Sequence, residues 1–458
     1  MKNLTNNPIQ KIVAQIQSET SKRSNKETYS PATPKILFNP SRIFYDSQSG
    51  SYLVDVGKFY RRYSRKQPVM SGIRRQLEED GDHQDIESLM EDIELDRAVD
   101  WSGSIAGYKR GKFSFEGKDF LVMDEANLLD AKGGEWPLHR DILEQALPDD
   151  DARAVFMSWL RDGVAAVRKH HHHPAPMLVM AGQRNAGKSL IAHITQQALG
   201  GRASNPMATW SGKTLWNDEL LKSELLLIDD SEASTDIRAR KSLGANFKQS
   251  TYAGNIKIHT RGKTALDMRP VWRVMVCCNE TPENLAVIPP LEEGIEDKII
   301  LLRINPIKTP MPAQSVDEKK AFSSALQREL PAFLAYLESF RTPEHLTDSR
   351  DGVTAWKDSE LLEAIREISP ERKLENLITL WLESSTFLSS GESKSMSAAE
   401  LEADLQHKDS PTSDQARSLL KYHSNCGRLL STLFKQKSPY VTGKRKSNGT
   451  HLYEISRP

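Results

Sequence analysis

The chain has 458 residues, 38% of them hydrophobic, and its 62 Lys and Arg balance 62 Asp and Glu. Zero net charge excludes nucleic-acid binding through overall charge, so any such surface has to be local. The three cysteines, Cys277, Cys278 and Cys426, build neither a disulfide framework nor a zinc spacing. With no apolar h-region at the N-terminus and no run near 18 apolar residues, the expectation is a soluble cytoplasmic protein with no membrane partner.

Residues 1–33 are polar and read as a flexible tail, with one short helix around Ile9–Ile16. Residues 34–148 read as a small α+β domain. Arg42–Tyr45 and Tyr52–Val54 flank a turn sequence and form one predicted β-hairpin, and Gly111–Val122 forms another. Between them, Glu78 to Asp96 holds ten acids and no Lys or Arg. A solvated helix face accounts for that run more simply than a docking surface for a basic partner. Asp149–Asp151 caps a predicted helix over Ala152–Lys169. The four histidines His170–His173 follow; neighbours in a run do not converge on one ion, so they read as a solvated linker.

Met177–Met180 is a short apolar run suited to a buried strand. It leads into Gly182, Gln183, Arg184, Asn185, Ala186, Gly187, Lys188 and Ser189, which fit G-x-x-x-x-G-K-[ST] at every position. Leu190, Ile191, Ile194 and Leu199 then recur at helical spacing. Strand, loop and helix in that order give the motif its chemistry. Backbone N–H groups close around the phosphates of ATP, Lys188 adds a charge near the β and γ phosphates, and Ser189 offers its hydroxyl to Mg²⁺.

About forty residues further on, Glu224–Ile228 is an apolar strand ending in Asp229 and Asp230, a Walker B pattern. Asp229 is assigned to the metal and Asp230 to activation of the attacking water, with Glu232 competing for the second role. Val274–Cys278 is another buried strand, tipped by Asn279, an amide placed to sense the γ-phosphate or the water. Cys277 and Cys278 are then small core residues. Between these motifs, Asn255–Lys263 carries Lys257, His259, Arg261 and Lys263. On spacing alone it is equally a plain exposed hairpin or a loop that tracks a phosphate backbone.

Loop, Asp-Asp strand, basic hairpin and Asn-tipped strand lie within about a hundred residues, and together they resemble the superfamily 3 helicases, of the type at the C-terminal half of phage and plasmid primase-helicases. The resemblance covers about Asp149 to Pro306, and Trp210–Asp218 and Pro270–Val274 share it. It implies an AAA+-like α/β domain working as a ring, usually a hexamer, with ATP between subunits. It also implies that the Lys257–Lys263 hairpin draws single-stranded DNA through the channel, 3′→5′. A cation from the neighbouring subunit reaches the γ-phosphate in such proteins. Lys298, just before Ile299–Leu302, is the first candidate here, with Arg303 and Arg273 as rivals. Many relatives carry Arg at that place, and Lys lacks its planar fork.

Residues 311–395 read as a helical domain and linker: an amphipathic helix over Glu318–Phe340 interrupted by Pro331, helices at Glu360–Ile368 and Glu371–Glu383, then a Ser-rich linker at Ser384–Ser397. Residues 396–458 read as a winged helix, with helices at Ala398–Gln406, Asp414–Lys421 and Asn425–Gln436 and a hairpin turning at Asn448-Gly449. From Lys421 to Pro458, eight Lys and Arg stand against one acid, Glu454. Asn425, Arg428 and Lys435 on the third helix, Ser424 just ahead of it, and Lys444, Arg445 and Lys446 on the wing are candidate DNA contacts.

The expected fold class is therefore α/β, with a P-loop AAA+-like core, a small N-terminal α+β domain, a core domain over 149–310 and a C-terminal helical and winged-helix part. The expected activity is an ATP- and Mg²⁺-dependent 3′→5′ DNA helicase acting in replication of a phage, plasmid or other mobile element. Its expected partners are single-stranded or forked DNA, further copies of itself and a separate primase or polymerase. The alternatives are a ring-forming nucleic-acid-sensing switch NTPase, as in defence, and an origin-binding initiator.

Overall fold

The structure is a computed structural model that describes residues 37–229, 237–291, 294–384, 391–421, 425–447 and 449–457. The expected tail at 1–33 and the helix expected around Ile9–Ile16, together with Asp230, Glu232, Ser424 and Asn448, lie outside the described residues. The chain is mixed α/β and divides into two units, Met1–Asp358 and Ser359–Pro458.

The first unit opens with the expected hairpin. Ile43–Asp46 pairs antiparallel with Ser51–Asp55, in a register that sets Ile43 against Val54. Tyr60–Tyr63 adds a third strand antiparallel to the second, and Ala98–Val99 pairs parallel on the other edge. Helices Lys66–Asp80 and Ile86–Asp96 cover this sheet with Val69, Ile73, Met90 and Ile93. The acidic run thus becomes a helix end, a turn and a second helix. Asp85 caps that second helix by accepting from the amides of Glu87 and Ser88; Glu87, Glu91, Asp92 and Asp96 are exposed, and Glu94 accepts from the Tyr52 hydroxyl and pairs with Lys66 at 3.1 Å. The second predicted hairpin is Gly111–Phe115 with Lys118–Val122, joined to Trp101–Gly103. Its turn residues Glu116 and Gly117 both have positive φ, 50° and 74°, the geometry of a two-residue turn that matches strand twist.

A five-stranded sheet follows, parallel throughout. Its strands in chain order are Met177–Gly182, Ala203–Ser204, Leu225–Ile228, Arg273–Asn279 and Ile299–Ile304. Their spatial order is fifth, first, fourth, third, second. Every residue of Met177–Gly182 is buried, as a strand covered on both faces requires. Leu178, Met180, Met275, Cys277, Ile300 and Leu302 share one core with Phe156, Trp159 and Leu160 of helix Asp150–Arg168. Asp149 caps that helix by accepting from Ala152 N at 2.7 Å. From the first strand the chain goes out to the far edge, steps back, and finally crosses past the first strand. The crevice at the carboxyl end of that strand is where such sheets bind ligands.

Two expectations change in this unit. Helix Val316–Ser339 runs unbroken through Pro331, held by a capping box between Ser315 and Glu318 and by buried Phe322, Leu326, Leu330, Phe333 and Leu337. Packing on the core outweighs the hydrogen bond that proline removes. The histidine run is not a solvated linker throughout. His170 and His171 are exposed, but His172 and His173 are half-buried, and His170 Nδ1 lies 2.6 Å from Gly107 O. Burial, with Arg269 and Arg273 adding to it, pushes the His172 imidazole down to about 4. In the unfolded chain it titrates near 6.5, so the unfolded chain takes up the proton first. The resulting stability is fully present above about pH 6.5 and is lost as pH falls towards 4. His172→Asn is expected to flatten the fall in urea midpoint between those limits; an unchanged slope assigns the effect to another group.

The second unit places helices Ser359–Glu367 and Pro370–Ser384 with three more, Ala398–Gln406, Ser413–Leu419 and Asn425–Lys435. Leu374, Ile378 and Leu382 share a core with Leu401, Leu405, Leu429, Leu430 and Ile455, so the helix before the serine-rich stretch belongs to the body after it. The hairpin Val441–Ser447 with Thr450–Ser456 forms, with its register shifted by a bulge between Val441 and Gly443. Ser393–Ser397, expected within a linker, instead pairs antiparallel with Thr450–Ser456 as a third strand. Met396 is its one buried side chain. Residues 385–390 of the expected linker lie outside the described residues.

Candidate active site

The loop Gly182–Ser189 leaves the first strand of the five-stranded sheet and enters helix Lys188–Ala198. Its glycines are sterically required. A Cβ on Gly182 would lie 2.4 Å from Ile304 O of the adjoining strand, and Gly187, at φ 99°, would meet the Ile307 side chain at 2.5 Å. Asn185 also has positive φ, 64°. Gly187 is the N-cap of the helix and brings no capping side chain, so the first-turn amides are offered to a ligand.

Lys188 is 7% exposed. Its Nζ donates to Gly182 O at 2.9 Å, Gln183 O at 2.8 Å and Asn279 Oδ1 at 3.0 Å. Asn279 pairs in register with Gly182, so the parallel sheet itself brings the amide to the lysine. Asp229 follows the neighbouring strand Leu225–Ile228, at the same carboxyl end. Arg184, Asn185, Ala186, Gly187, Lys188, Ser189, Asp229, Asn279 and Asn284 line one cleft of about 750 Å³. Nothing in the sequence pattern singles out Asn284. It lies in the short helix Pro282–Leu285 just past Asn279, and its Nδ2 donates to Thr281 Oγ1 at 2.8 Å. Among the described residues no cluster of His, Cys, Asp and Glu forms a metal site by itself, and a cation here would share Ser189 and Asp229 with its ligand.

The three candidate trans cations separate clearly. Arg303 is aligned with Ala181 and binds Glu280 at 3.2 Å, so it lies at the carboxyl end of the sheet, where the Gly182–Ser189 loop begins. Lys298 precedes Ile299, which is aligned with Met177, at the opposite end. Five residues of strand put roughly 16 Å between them, so Lys298 lies far from the cleft of its own chain. It is 7% exposed, its Nζ is 2.7 Å from both oxygens of Asp297, and it lies over the Tyr252 ring. Arg273 is 2% exposed and donates to His173 O at 2.9 Å; burial pushes its guanidinium down to about 10. Arg273 is thus enclosed in the core of its own chain.

The basic hairpin pairs Ile256–Ile258 with Leu266–Met268. Lys257 and Arg261 are exposed, and His259 is half-buried. Lys263 turns away from the tip and binds Asp46 Oδ2 of the N-terminal sheet at 3.3 Å. Asp46 is fully buried and also accepts from Ser102 Oγ at 2.5 Å. Asn217 clips the hairpin from outside: its Nδ2 donates to Lys257 O at 2.9 Å and its Oδ1 accepts from His259 N at 2.7 Å. In the second unit Arg428 and Lys446 are exposed. Lys444 Nζ donates to Ser431 Oγ at 2.8 Å on helix Asn425–Lys435, and Arg445 donates to Ser395 Oγ at 3.2 Å.

No protein-family model matches the chain, and no curated protein matches it. Solved structures do. The chain is similar in fold to the C-terminal region of NrS-1. An apo structure of that region, residues 305–718, is 11% identical with a TM-score of 0.55, over 93% of this chain and 100% of that one. An A-form apo structure of the region is 11% identical with a TM-score of 0.53, over 91% and 96%. The likeness is thus one of overall fold along nearly the whole chain. No described helix is long and apolar enough to cross a membrane.

Proposed function

We propose that the protein is an ATP-driven DNA translocase and helicase of the superfamily 3 type, acting in replication of a mobile element. One observation carries the reading: Lys188 Nζ is bonded to Asn279 Oδ1 in a cleft that also holds Ser189 and Asp229. A buried ammonium, a strand-end amide, a hydroxyl and a carboxylate around an uncapped helix N-terminus are the parts phosphoryl transfer to water needs. Mg²⁺, when bound, would neutralise charge developing on the phosphates. Ser189 and Asp229 are its proposed ligands, Lys188 leaves its carbonyl partners for the β and γ phosphates, and Asn279 reports the state of the γ-phosphate to its strand. Asp230 is proposed to orient the attacking water and Lys298 to serve a neighbouring copy in a ring, a hexamer on the resemblance. The five-stranded sheet is read as an AAA+-like core, and the helices and three-stranded sheet of the second unit as a winged helix whose Arg428, Lys444, Arg445 and Lys446 contact DNA.

The test is ATPase rate with and without single-stranded DNA at two protein concentrations, with mass by light scattering. Stimulation by DNA in a ring-sized particle is expected, with strand displacement on a forked duplex. A DNA-indifferent ATPase that stays monomeric with both ligands would overturn the reading in favour of a nucleotide switch.

A further inference from the structure

Asn284 stands in the cleft with no role in the chemistry described so far. It lies in the short helix Pro282–Leu285, which starts three residues past the strand-tip amide of Asn279. Fully buried Leu285 pins that helix to the core. The Asn284 backbone is bonded at both ends: its N donates to Thr281 O at 3.0 Å, and its O accepts from Val287 N at 3.2 Å. The side chain is set as well. Its Nδ2 donates to Thr281 Oγ1 at 2.8 Å, and no described residue bonds its Oδ1. The residue is half-buried and lines the same cleft as Lys188, Ser189, Asp229 and Asn279. Asn279 and Asn284 therefore differ. Asn279 Oδ1 already accepts from Lys188 Nζ at 3.0 Å, whereas Asn284 keeps its acceptor open. Ionised phosphate oxygens are acceptors themselves, so a carbonyl oxygen gains no bond from them. Its partner in a cleft loaded with ATP has to bring a hydrogen, and beside a γ-phosphate about to be hydrolysed that partner is water.

We infer that Asn284 Oδ1 accepts a hydrogen bond from the attacking water and holds it in line with the γ-phosphorus. The inference rests on the proposed ATPase site and adds to it a catalytic residue that no motif marks. With one hydrogen on Asn284 and the other on a carboxylate base, the water turns a lone pair to phosphorus. Its oxygen then bonds to the γ-phosphorus while that phosphorus parts from the β–γ bridging oxygen, which leaves on ADP with the electron pair. One water proton passes to the base, the other stays on the phosphate product, and the amide remains neutral throughout. Thr281 is a positioning residue: by holding Nδ2 it aims Oδ1.

The experiment uses the full chain. It measures steady-state turnover of ATP and dATP, affinity for a fluorescent ATP analogue, and an unfolding curve for each variant. Asn284→Ala is expected to lower kcat about 100-fold, the cost of a misplaced reactant, with affinity for the analogue unchanged. Asn284→Asp keeps the shape and Oδ1, and its second oxygen accepts from the Thr281 hydroxyl. It is expected to recover most of kcat, while its charge weakens binding of the analogue. Thr281→Val leaves the amide free to turn and loses an intermediate amount. Wild-type kcat in Asn284→Ala overturns the inference and leaves the ATPase site standing. Weaker binding with kcat kept, for ATP but not for dATP, places Asn284 on the ribose and overturns it. So does a slower Asn284→Asp than Asn284→Ala, which makes Nδ2 a donor to phosphate. Should Asn284→Ala fail to fold, Asn284→Asp decides: a folded protein with its rate lost overturns the inference. If the wild-type chain turns over neither nucleotide, the ATPase reading falls with it.

Discussion

Lys188→Ala is expected to abolish ATP turnover, lowering the rate at least about 100-fold, the cost of removing a preorganised donor to developing phosphate charge. The structure explains why no neighbour substitutes for it. Lys188 is the buried cation among the residues lining the cleft, and it bridges the loop carbonyls to Asn279. Arg184, the other cation of the lining, is exposed. The variant is expected to fold, because the side chain is replaced by a smaller apolar one at an open cleft. A steady-state ATPase assay measures the loss, and an unfolding curve confirms the fold. Turnover close to wild type would show that ATP chemistry is not centred on this loop.

Arg202→Ala should cost about 3 kcal/mol of stability, because it strands a buried charge. Glu224 is fully buried at the start of the Asp-tipped strand. Its Oε2 accepts from Arg202 Nε at 2.9 Å, its Oε1 accepts from Arg202 Nη2 and from Gly107 N at 2.9 Å, and Arg202 also binds Asp124 at 2.8 Å. One carboxylate thus ties the N-terminal segment to the five-stranded sheet. Removing the guanidinium leaves the Glu224 carboxyl in a dry site with a single amide donor. Adding Glu224→Gln removes the charge and is expected to recover most of the loss. Urea midpoints of the single and double variants measure both effects, and a cost below about 0.5 kcal/mol for Arg202→Ala would mean that water reaches Glu224.

Both sites show what a sequence makes legible. Lys188, Ser189, Asp229 and Asn279 stand out from local pattern, because each ends or follows an apolar run and parallel pairing brings those ends to one edge of the sheet. The hairpins at 43–55, 111–122 and 441–456 are equally plain from alternation and turn residues. Bonds between distant segments leave no such mark. Glu224 meets Gly107 across 117 residues and Lys263 meets Asp46 across 217, and neither pair sits in a periodic pattern. Ser393–Ser397 reads as linker because only Met396 of its five residues is apolar and buried, the weak signature of an edge strand. Trp216, 46% exposed, is hidden for the opposite reason: a tryptophan in sequence reads as core until its exposure is seen.

The basic hairpin is restrained from three sides. Asn217 holds its outer strand, Asp46 holds Lys263 near its tip, and Glu116, at the turn of the second N-terminal hairpin, accepts from Asn255 Nδ2 at its base at 2.6 Å. A loop so moored has little give of its own. In the proposed translocase, force along a strand gripped there would be carried through Lys263 and Asn255 into both N-terminal sheets, and the small domain would set the stiffness of the lever. On that proposal, shortening the stroke would need no change at the cleft around Lys188: loosening Asp46 or Glu116 would let the hairpin flex under load and waste part of each step.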